Sequence, residues 1–188
     1  KEAWSIWKLA MVFDHLMAAA IVSGGVRRSA RIAVKYWKDI DILDFIKIKS
    51  ELGLYTANNS VGVDDEFERE RNIPGTRAYE VAQAILHAQY DHLTGEPGII
   101  NLHKLTFGVE GRRGLAQLIR DKLQKGEGLI GSAEYDLCPE LKDMERYLMR
   151  SMLTKPYPFI VNPCAEIVLM VLGGFCVLCT VNMSYCKD

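Results

Sequence analysis

A short apolar stretch near the end of the chain, FIVNPCAEIVL (159–169), contains three polar side chains that could do chemistry. Asn162, Cys164 and Glu166 are two residues apart, so in an extended segment they project to the same side. A thiol, a carboxylate and an amide on one face could act as a sulfur reactant, a base and a hydrogen-bonding orienter. The alternative is a buried cysteine that packs as a small hydrophobe, with Glu166 exposed at a turn, and spacing alone favours that alternative.

The composition is that of one ordinary globular domain. The 188 residues are 49% apolar and 25% charged, and no linker-like segment divides them. A net charge of -1 gives no general attraction to nucleic acid or anionic lipid, so neither is predicted as a partner. The apolar run 167–181 is shorter than the ~20 residues that span a bilayer. All five cysteines lie in the last third, which argues against a secreted disulfide scaffold and favours a cytoplasmic protein.

Helical and strand patterns alternate along the chain, which predicts an α/β fold built on parallel strands. In residues 2–22, Trp4, Trp7, Met11 and Leu16 fall near one helical face. The helix at 77–93 is predicted to begin after a capping Thr76 and to be closed by Gly95. The predicted helices are 2–22, 38–50, 77–93, about 111–124 and 139–153, and the predicted strands are 30–34, 58–63, 97–102 and 158–161.

Several motifs together resemble the catalytic chain of ribonucleotide reductases. NPCAEI (162–167) is similar to the family's active-site finger loop, Asn-x-Cys-x-Glu-Ile, and its proline resembles the adenosylcobalamin-dependent (class II) branch. SGGVRRSARIAV (23–34) resembles the family's second specificity loop, which links the effector site to the substrate base. TANNSVGVDDEFE (56–68) and GEPGIINL (95–102) resemble the following barrel segments in the expected order.

The resemblance implies a fold and an activity. The fold would be a partial ribonucleotide-reductase-type α/β barrel with parallel strands and a central finger loop. Residues 1–188 would form one partial catalytic domain, with the specificity loop at about 23–30 and the finger loop at about 162–167. The activity would be reduction of ribonucleotides to deoxyribonucleotides through a cysteine thiyl radical.

The resemblance also assigns a role to each residue of the finger. Cys164 would carry the thiyl radical that removes the 3′ hydrogen of the ribose. Glu166 would take the 3′-hydroxyl proton, and Asn162 would hydrogen-bond the ribose hydroxyls. Cys176 matches one of two reducing cysteines; it lies 12 residues after Cys164, one more than the class II pattern leads us to expect. The family's other reducing cysteine lies upstream of the specificity loop, and no cysteine precedes Cys138.

The specificity loop would contact substrate base and effector. Arg27 matches the family's loop arginine, whose planar fork can reach a base or a phosphate. The plainer interpretation is that Arg27 and Arg28 are exposed loop charges. The predicted loop residues are Ser23, Gly24, Gly25, Arg27, Arg28 and Ser29.

The implied cofactor is adenosylcobalamin, and the implied substrates are ribonucleoside di- or triphosphates. Deoxynucleotides or ATP would act as effectors, and a thioredoxin-like protein or a dithiol would be the reductant. Cys176, Cys179 and Cys186 include a C-x-x-C spacing. Zinc usually needs a second ligand pair at a regular distance, so no metal site is predicted.

We expect an internal piece of a longer or split enzyme that is inactive alone, and complementary chains of the same enzyme would be its partners if the enzyme is split. The chain begins with Lys1, and the family's phosphate loop and C-terminal shuttle cysteines find no match in it. Two alternatives stay open. One is an inactive remnant or a nucleotide-binding fragment, and the other is a class I catalytic chain.

Overall fold

The structure is a computed structural model of the chain. It describes residues 4–22, 31–114, 117, 121, 122, 124, 125, 143, 157, 159–162 and 168–170. The helices in these residues are α1 (Ile6–Val22), α2 (Ile42–Leu52), α3 (Asp65–Glu70), α4 (Arg77–Asp91) and α5 (Leu102–Phe107). The strands are β1 (Ile32–Tyr36), β2 (Asn58–Val63), β3 (Gly98–Asn101), β4 (Gly108–Val109), β5 (Arg112–Arg113), β6 (Phe159–Val161) and β7 (Val168–Met170).

The centre of the fold is a parallel sheet with the strand order β1-β2-β3. The register places Val34 beside Ser60 and Val61 beside Ile99. Parallel neighbours need a crossover connection, which α2 provides between β1 and β2, and α3 with α4 between β2 and β3. The α/β organisation with parallel strands is therefore confirmed. The described strands form this sheet and two antiparallel pairs, and the complete barrel stays a prediction.

The two faces of β2 are covered by different helices. Val61 and Val63 are fully buried in an apolar cluster with residues of α2 and α4, such as Phe45 and Ile85. Because side chains alternate along a strand, Gly62 faces the other way, and α5 packs there through Leu102. β2 is therefore buried on both faces, which is usual for a parallel strand between helical layers.

Local sequence signals located β2 and α4 well. β2 has the bounds predicted for that strand, 58–63. Thr76 caps α4 as predicted, because its Oγ1 accepts a hydrogen bond from the backbone N–H of Tyr79 at 3.1 Å. The helix ends earlier than expected, at Asp91, so its closure by Gly95 was wrong.

Two other predicted elements need correction. α2 begins at Ile42 rather than at residue 38. The helix predicted from 111 is wrong at its start, because Arg112–Arg113 pairs with Gly108–Val109 in a short hairpin. Farther along that predicted helix, residues 117, 121, 122 and 124 are described and helical, whereas nearly all of the helix predicted at 139–153 lies outside the described residues.

Helix α1 does not have the single apolar face that the sequence predicted. Trp7 and Met11 pack against the core, and the Trp7 ring meets Phe45 edge to face at 5.9 Å. Trp4 and Leu16 are instead at least half exposed. Within the described part of the chain, no helix combines the length and the apolarity that crossing a membrane requires.

Candidate active site

The predicted finger loop joins the two strands of a hairpin. β6 and β7 pair antiparallel, with Phe159 opposite Met170 and Val161 opposite Val168. Residues 162–167 connect them, so the paired valines hold both ends of the loop side by side. The candidate motif thus begins at Asn162, directly after β6, and occupies the residues between two paired strands.

Asn162 is the described member of the candidate motif, and it is buried. It directly follows β6 and is 4% exposed, and Phe159 and Val161 beside it are also buried. A buried amide is tolerated only where it has hydrogen-bonding partners. The start of the motif is therefore enclosed by protein and shielded from bulk water.

The other predicted site residues lie outside the described residues. These are Cys164, Glu166 and Cys176 of the predicted reaction centre and Ser23, Gly24, Gly25, Arg27, Arg28 and Ser29 of the predicted specificity loop. The shared face of Asn162, Cys164 and Glu166 stays a prediction, and so does the alignment of Cys176. The three cysteines considered for zinc also lie outside.

Both flanks of the predicted specificity loop are tied to the fold. The loop follows α1 and leads into the amino end of β1. Arg31, just before β1, forms an ion pair with Asp14 of α1. Thr56, just before β2, lies with its Oγ1 2.7 Å from His15 Nδ1 and donates to the His15 carbonyl at 3.1 Å. These contacts fix the distance that the loop must span.

The two strands β6 and β7, which with residues 162–167 we call the finger hairpin, lie near the carboxyl edge of the parallel sheet. At this edge, Tyr36 ends β1, Asp64 follows β2, and α5 follows β3. α5 contacts β6, which brings the hairpin to the same edge. In open parallel α/β sheets, ligands bind outside the carboxyl ends of the strands, so this edge is where a reaction centre is expected.

Asp64 is the most heavily bonded group at this edge. It is 6% exposed and accepts hydrogen bonds from the Tyr36 hydroxyl, from Trp37 Nε1 at 3.1 Å and from the backbone N–H of Phe67 at 2.9 Å. Burial alone would raise the pKa of Asp64, but these donors outweigh it and hold that pKa below its usual value. Asp64 is therefore a buried carboxylate that stays ionised.

Tyr157 connects this carboxylate to the hairpin. Its ring lies 5.6 Å from the Tyr36 ring and 6.4 Å from the His103 ring on α5. Burial raises the pKa of Tyr157, and the nearby Asp64 charge raises it further. Burial also raises the pKa of Tyr36, together with its hydrogen bond to Asp64. We call Tyr36, Trp37, Asp64 and Tyr157 the Asp64 cluster.

Sequence reasoning did not single out the Asp64 cluster. One signal was present, because Asp64 follows a buried strand directly and caps the next helix. Tyr157 gave no local signal, since its partners come from β1 and β2, far away along the chain. His103 lies partly exposed on α5.

A cavity of about 710 Å³ opens at the opposite edge of the sheet. It lies at the amino ends of β2 and β3, where Asn59 and Pro97 line it, and Lys49 and Glu96 form an ion pair across its wall. It is therefore remote from the Asp64 cluster. Within the described residues, no group of three or more histidine, cysteine or acidic side chains could hold a metal ion.

Two curated proteins are similar to this chain. One, from Mycobacterium phage D29, is named "Putative adenosylcobalamin-dependent ribonucleoside-triphosphate reductase"; it is 39% identical over 98 residues, which are 48% of this chain and 14% of that protein. The other, from Lactobacillus gasseri, is named "Adenosylcobalamin-dependent ribonucleoside-triphosphate reductase"; it is 32% identical over 90 residues, which are 47% of this chain and 10% of that protein.

The match therefore spans only about a tenth to a seventh of the length of these relatives. No protein-family model matches the chain, and no solved structure matches it. The predicted resemblance to ribonucleotide reductases is confirmed by the two relatives. Their names also agree with the class II branch and with adenosylcobalamin, the cofactor that the resemblance implied.

Proposed function

We propose that this chain forms part of the catalytic barrel of an adenosylcobalamin-dependent ribonucleotide reductase that acts on ribonucleoside triphosphates. The observation that carries the proposal is the likeness to two reductases with that cofactor and substrate in their names. The burial of Asn162 directly after β6 supports it. The cysteine usage suits the cytoplasm, where thiols stay reduced.

The three finger residues would share the first steps of the reaction. A thiyl radical on Cys164 takes the 3′ hydrogen atom of the ribose, which restores the thiol and leaves a sugar radical. Glu166 accepts the proton of the 3′-hydroxyl as a general base. Asn162 holds the ribose hydroxyls by hydrogen bonds. Its burial beside β6 gives it a fixed position from which to do so.

The two electrons for reduction would come from thiols. In this assignment Cys176 and a second cysteine of the complete enzyme become a disulfide as the ribose loses its 2′-hydroxyl as water. A thioredoxin-like protein or a small dithiol then reduces that disulfide. Residues 23–30 would adjust the preference for each base in response to bound deoxynucleotide or ATP effectors, with Arg27 as the bidentate donor.

Adenosylcobalamin, when bound, supplies the radical that the finger cysteine receives. The β6 side of the hairpin fits such chemistry, since Phe159, Val161 and Asn162 are all buried. A radical survives only where water and stray hydrogen donors are kept away. The names of both relatives favour this cofactor over the class I alternative, which uses a separate radical-generating subunit.

A chimeric enzyme tests the proposal. The segment of the Lactobacillus gasseri reductase that corresponds to this chain is replaced by this chain, and conversion of radiolabelled ribonucleoside triphosphate is measured with adenosylcobalamin and dithiothreitol. We expect deoxynucleotide to form, and we expect Cys164→Ser to abolish it. Cys138→Ser is the matched control and should retain turnover. A folded chimera that makes no product, or one that does not need Cys164, would refute the proposal.

A further inference from the structure

Within the described residues, β6 pairs with β7, and the three parallel strands pair among themselves, so no described strand joins the finger hairpin to the parallel sheet. The hairpin therefore reaches the sheet through side-chain packing, which comes from α5 against β6 and from Tyr157 against Tyr36. Side-chain contacts, rather than sheet hydrogen bonds, determine where the hairpin sits.

The hydrogen bonds of the Asp64 cluster make one of these contacts rigid, that between Tyr157 and Tyr36. Asp64 is bonded to the end of β1 through Tyr36 and Trp37 and to the start of α3 through the Phe67 N–H. The Tyr157 ring packs against the Tyr36 ring at 5.6 Å, which brings Tyr157 close to the Asp64 carboxylate that the Tyr36 hydroxyl donates to. Hydrogen bonds to an ionised, buried acceptor are stronger than neutral ones, and a network of them fixes its members relative to one another.

Tyr157 transmits this rigidity to the candidate motif. It lies two residues before β6, and Asn162 directly follows β6. Four residues separate them, of which the last three are β6, and an extended strand transmits a displacement at one end to the other. We infer that Asp64 and Tyr157 are positioning residues that fix the finger hairpin, and with it Asn162, at the carboxyl edge of the sheet. The catalytic importance of this contact rests on the proposed function, whereas its structural part does not.

Hydrogen exchange of the 188-residue chain tests the structural part. Tyr157→Phe keeps the ring and removes the hydroxyl. Asp64→Asn keeps a good helix cap for α3 but removes the charge. For both variants we expect amide exchange in peptides covering 157–170 to rise by about tenfold or more. In Tyr157→Phe, peptides covering β2 and α3 should change by less than about twofold, because local opening leaves the remaining core intact. Asp64→Asn should in addition raise exchange in α3, because Asp64 caps that helix.

The control is Tyr90→Phe, since Tyr90 lies on α4 and is 80% exposed. It should leave exchange unchanged everywhere. Unchanged exchange at 157–170 in Tyr157→Phe would overturn the inference. An equal rise in every peptide would also overturn it, because that pattern indicates general destabilisation rather than a local attachment.

The chimera described above separates this inference from the proposed function. If the chimera is active, Tyr157→Phe should lower kcat about tenfold or more and leave the KM for the ribonucleotide near its original value, since misplacement affects the reacting groups more than binding. An inactive chimera with the expected exchange pattern would reject the proposed function and keep the positioning role. An active chimera whose kcat ignores Tyr157→Phe would reject the positioning role in catalysis.

Discussion

The proposed mechanism gives the side chains of the finger motif chemically distinct tasks, and conservative substitutions can separate them. Asn162 is held in a buried position at the end of β6. Cys164 and Glu166 follow it in the residues that join β6 to β7. If Glu166 is a general base, a substitution that keeps its size and polarity should affect the rate and spare binding.

Glu166→Gln in the active chimera tests that role. Loss of a positioned base typically costs ~10²–10⁴-fold in rate, so kcat should fall by that order while KM changes little. Steady-state kinetics with a ribonucleoside triphosphate would measure both constants. Glu110→Gln is the matched control, because Glu110 lies exposed in the turn between β4 and β5. A kcat within about threefold of the parent would rule out Glu166 as the base.

Cys176→Ser should produce a different defect from Cys164→Ser. Without Cys176 the 3′ hydrogen can still be removed, but the sugar intermediate lacks its reductant and decays to inactivating products. We therefore expect 3′-tritium to be released from labelled substrate while deoxynucleotide formation stops. Cys164→Ser should stop both, and Cys179→Ser should stop neither. Normal product formation by Cys176→Ser would mean that the reducing cysteine was misaligned.

At the scale of elements, α5 is the piece that links the parallel sheet to the finger hairpin. It packs on β2 through Leu102, and it contacts β6. A glycine in the middle of β2 makes room for this packing, because a methyl group added at Gly62 would lie 2.4 Å from Leu102 Cδ1 and the leucine side chain would have to shift. This close contact gives a direct test of how α5 is seated.

Gly62→Ala should destabilise the protein by about 1–3 kcal/mol, the usual cost of overpacking a tight contact. Chemical denaturation followed by tryptophan fluorescence would measure the free energy of unfolding. Gly95→Ala is the control, because an added methyl group there has no atom within 4 Å. Equal stability of the two variants would show that α5 is not seated on Gly62 as described.

The elements that sequence reasoning found are those with local signals. The apolar and small residues of β2 predicted a buried strand, and Thr76 marked the start of α4. The helices α3 and α5 were missed because each has six residues, too few to show a helical period. The β4–β5 hairpin was missed because each of its strands has two residues and the helical pattern downstream obscured it.

The candidate site could be predicted only from one short motif in the sequence. NPCAEI predicts the finger loop, and its first residue, Asn162, is buried directly after β6. The Asp64 cluster could not be found in the same way, because it joins residues from β1, β2 and the segment before β6. Such contacts depend on the sheet order, and the sequence pattern gives only the kind of sheet.

At the scale of the whole molecule, the Asp64 cluster makes the free energy of unfolding depend on pH in both the acid and the alkaline range. Its carboxylate must be ionised and its tyrosines must be neutral for the hydrogen bonds to form. The pKa of Asp64 is held below its usual value, mainly by the Tyr36 hydroxyl against the opposing effect of burial. The pKa values of Tyr36 and Tyr157 are raised, mainly by burial. The acid and alkaline limits of stability follow from the linkage between folding and proton binding.

Asp64 contributes stability above its unfolded pKa of about 4, and this contribution is lost as the pH falls through the lower folded pKa. Tyr36 contributes stability below its unfolded pKa of about 10, and this contribution is lost as the pH rises above that value. We therefore expect the free energy of unfolding to be greatest between about pH 5 and 9 and to decline on both sides. Denaturant titrations across this range would measure it.

Tyr36→Phe should flatten the alkaline decline, since phenylalanine cannot ionise, while Tyr90→Phe should leave it unchanged because Tyr90 is largely exposed. Asp64→Asn should lower the plateau and flatten the acid decline, since the substituted residue no longer binds a proton in that range. An alkaline decline that is equally steep in Tyr36→Phe and in the parent protein would show that the cluster does not control stability there.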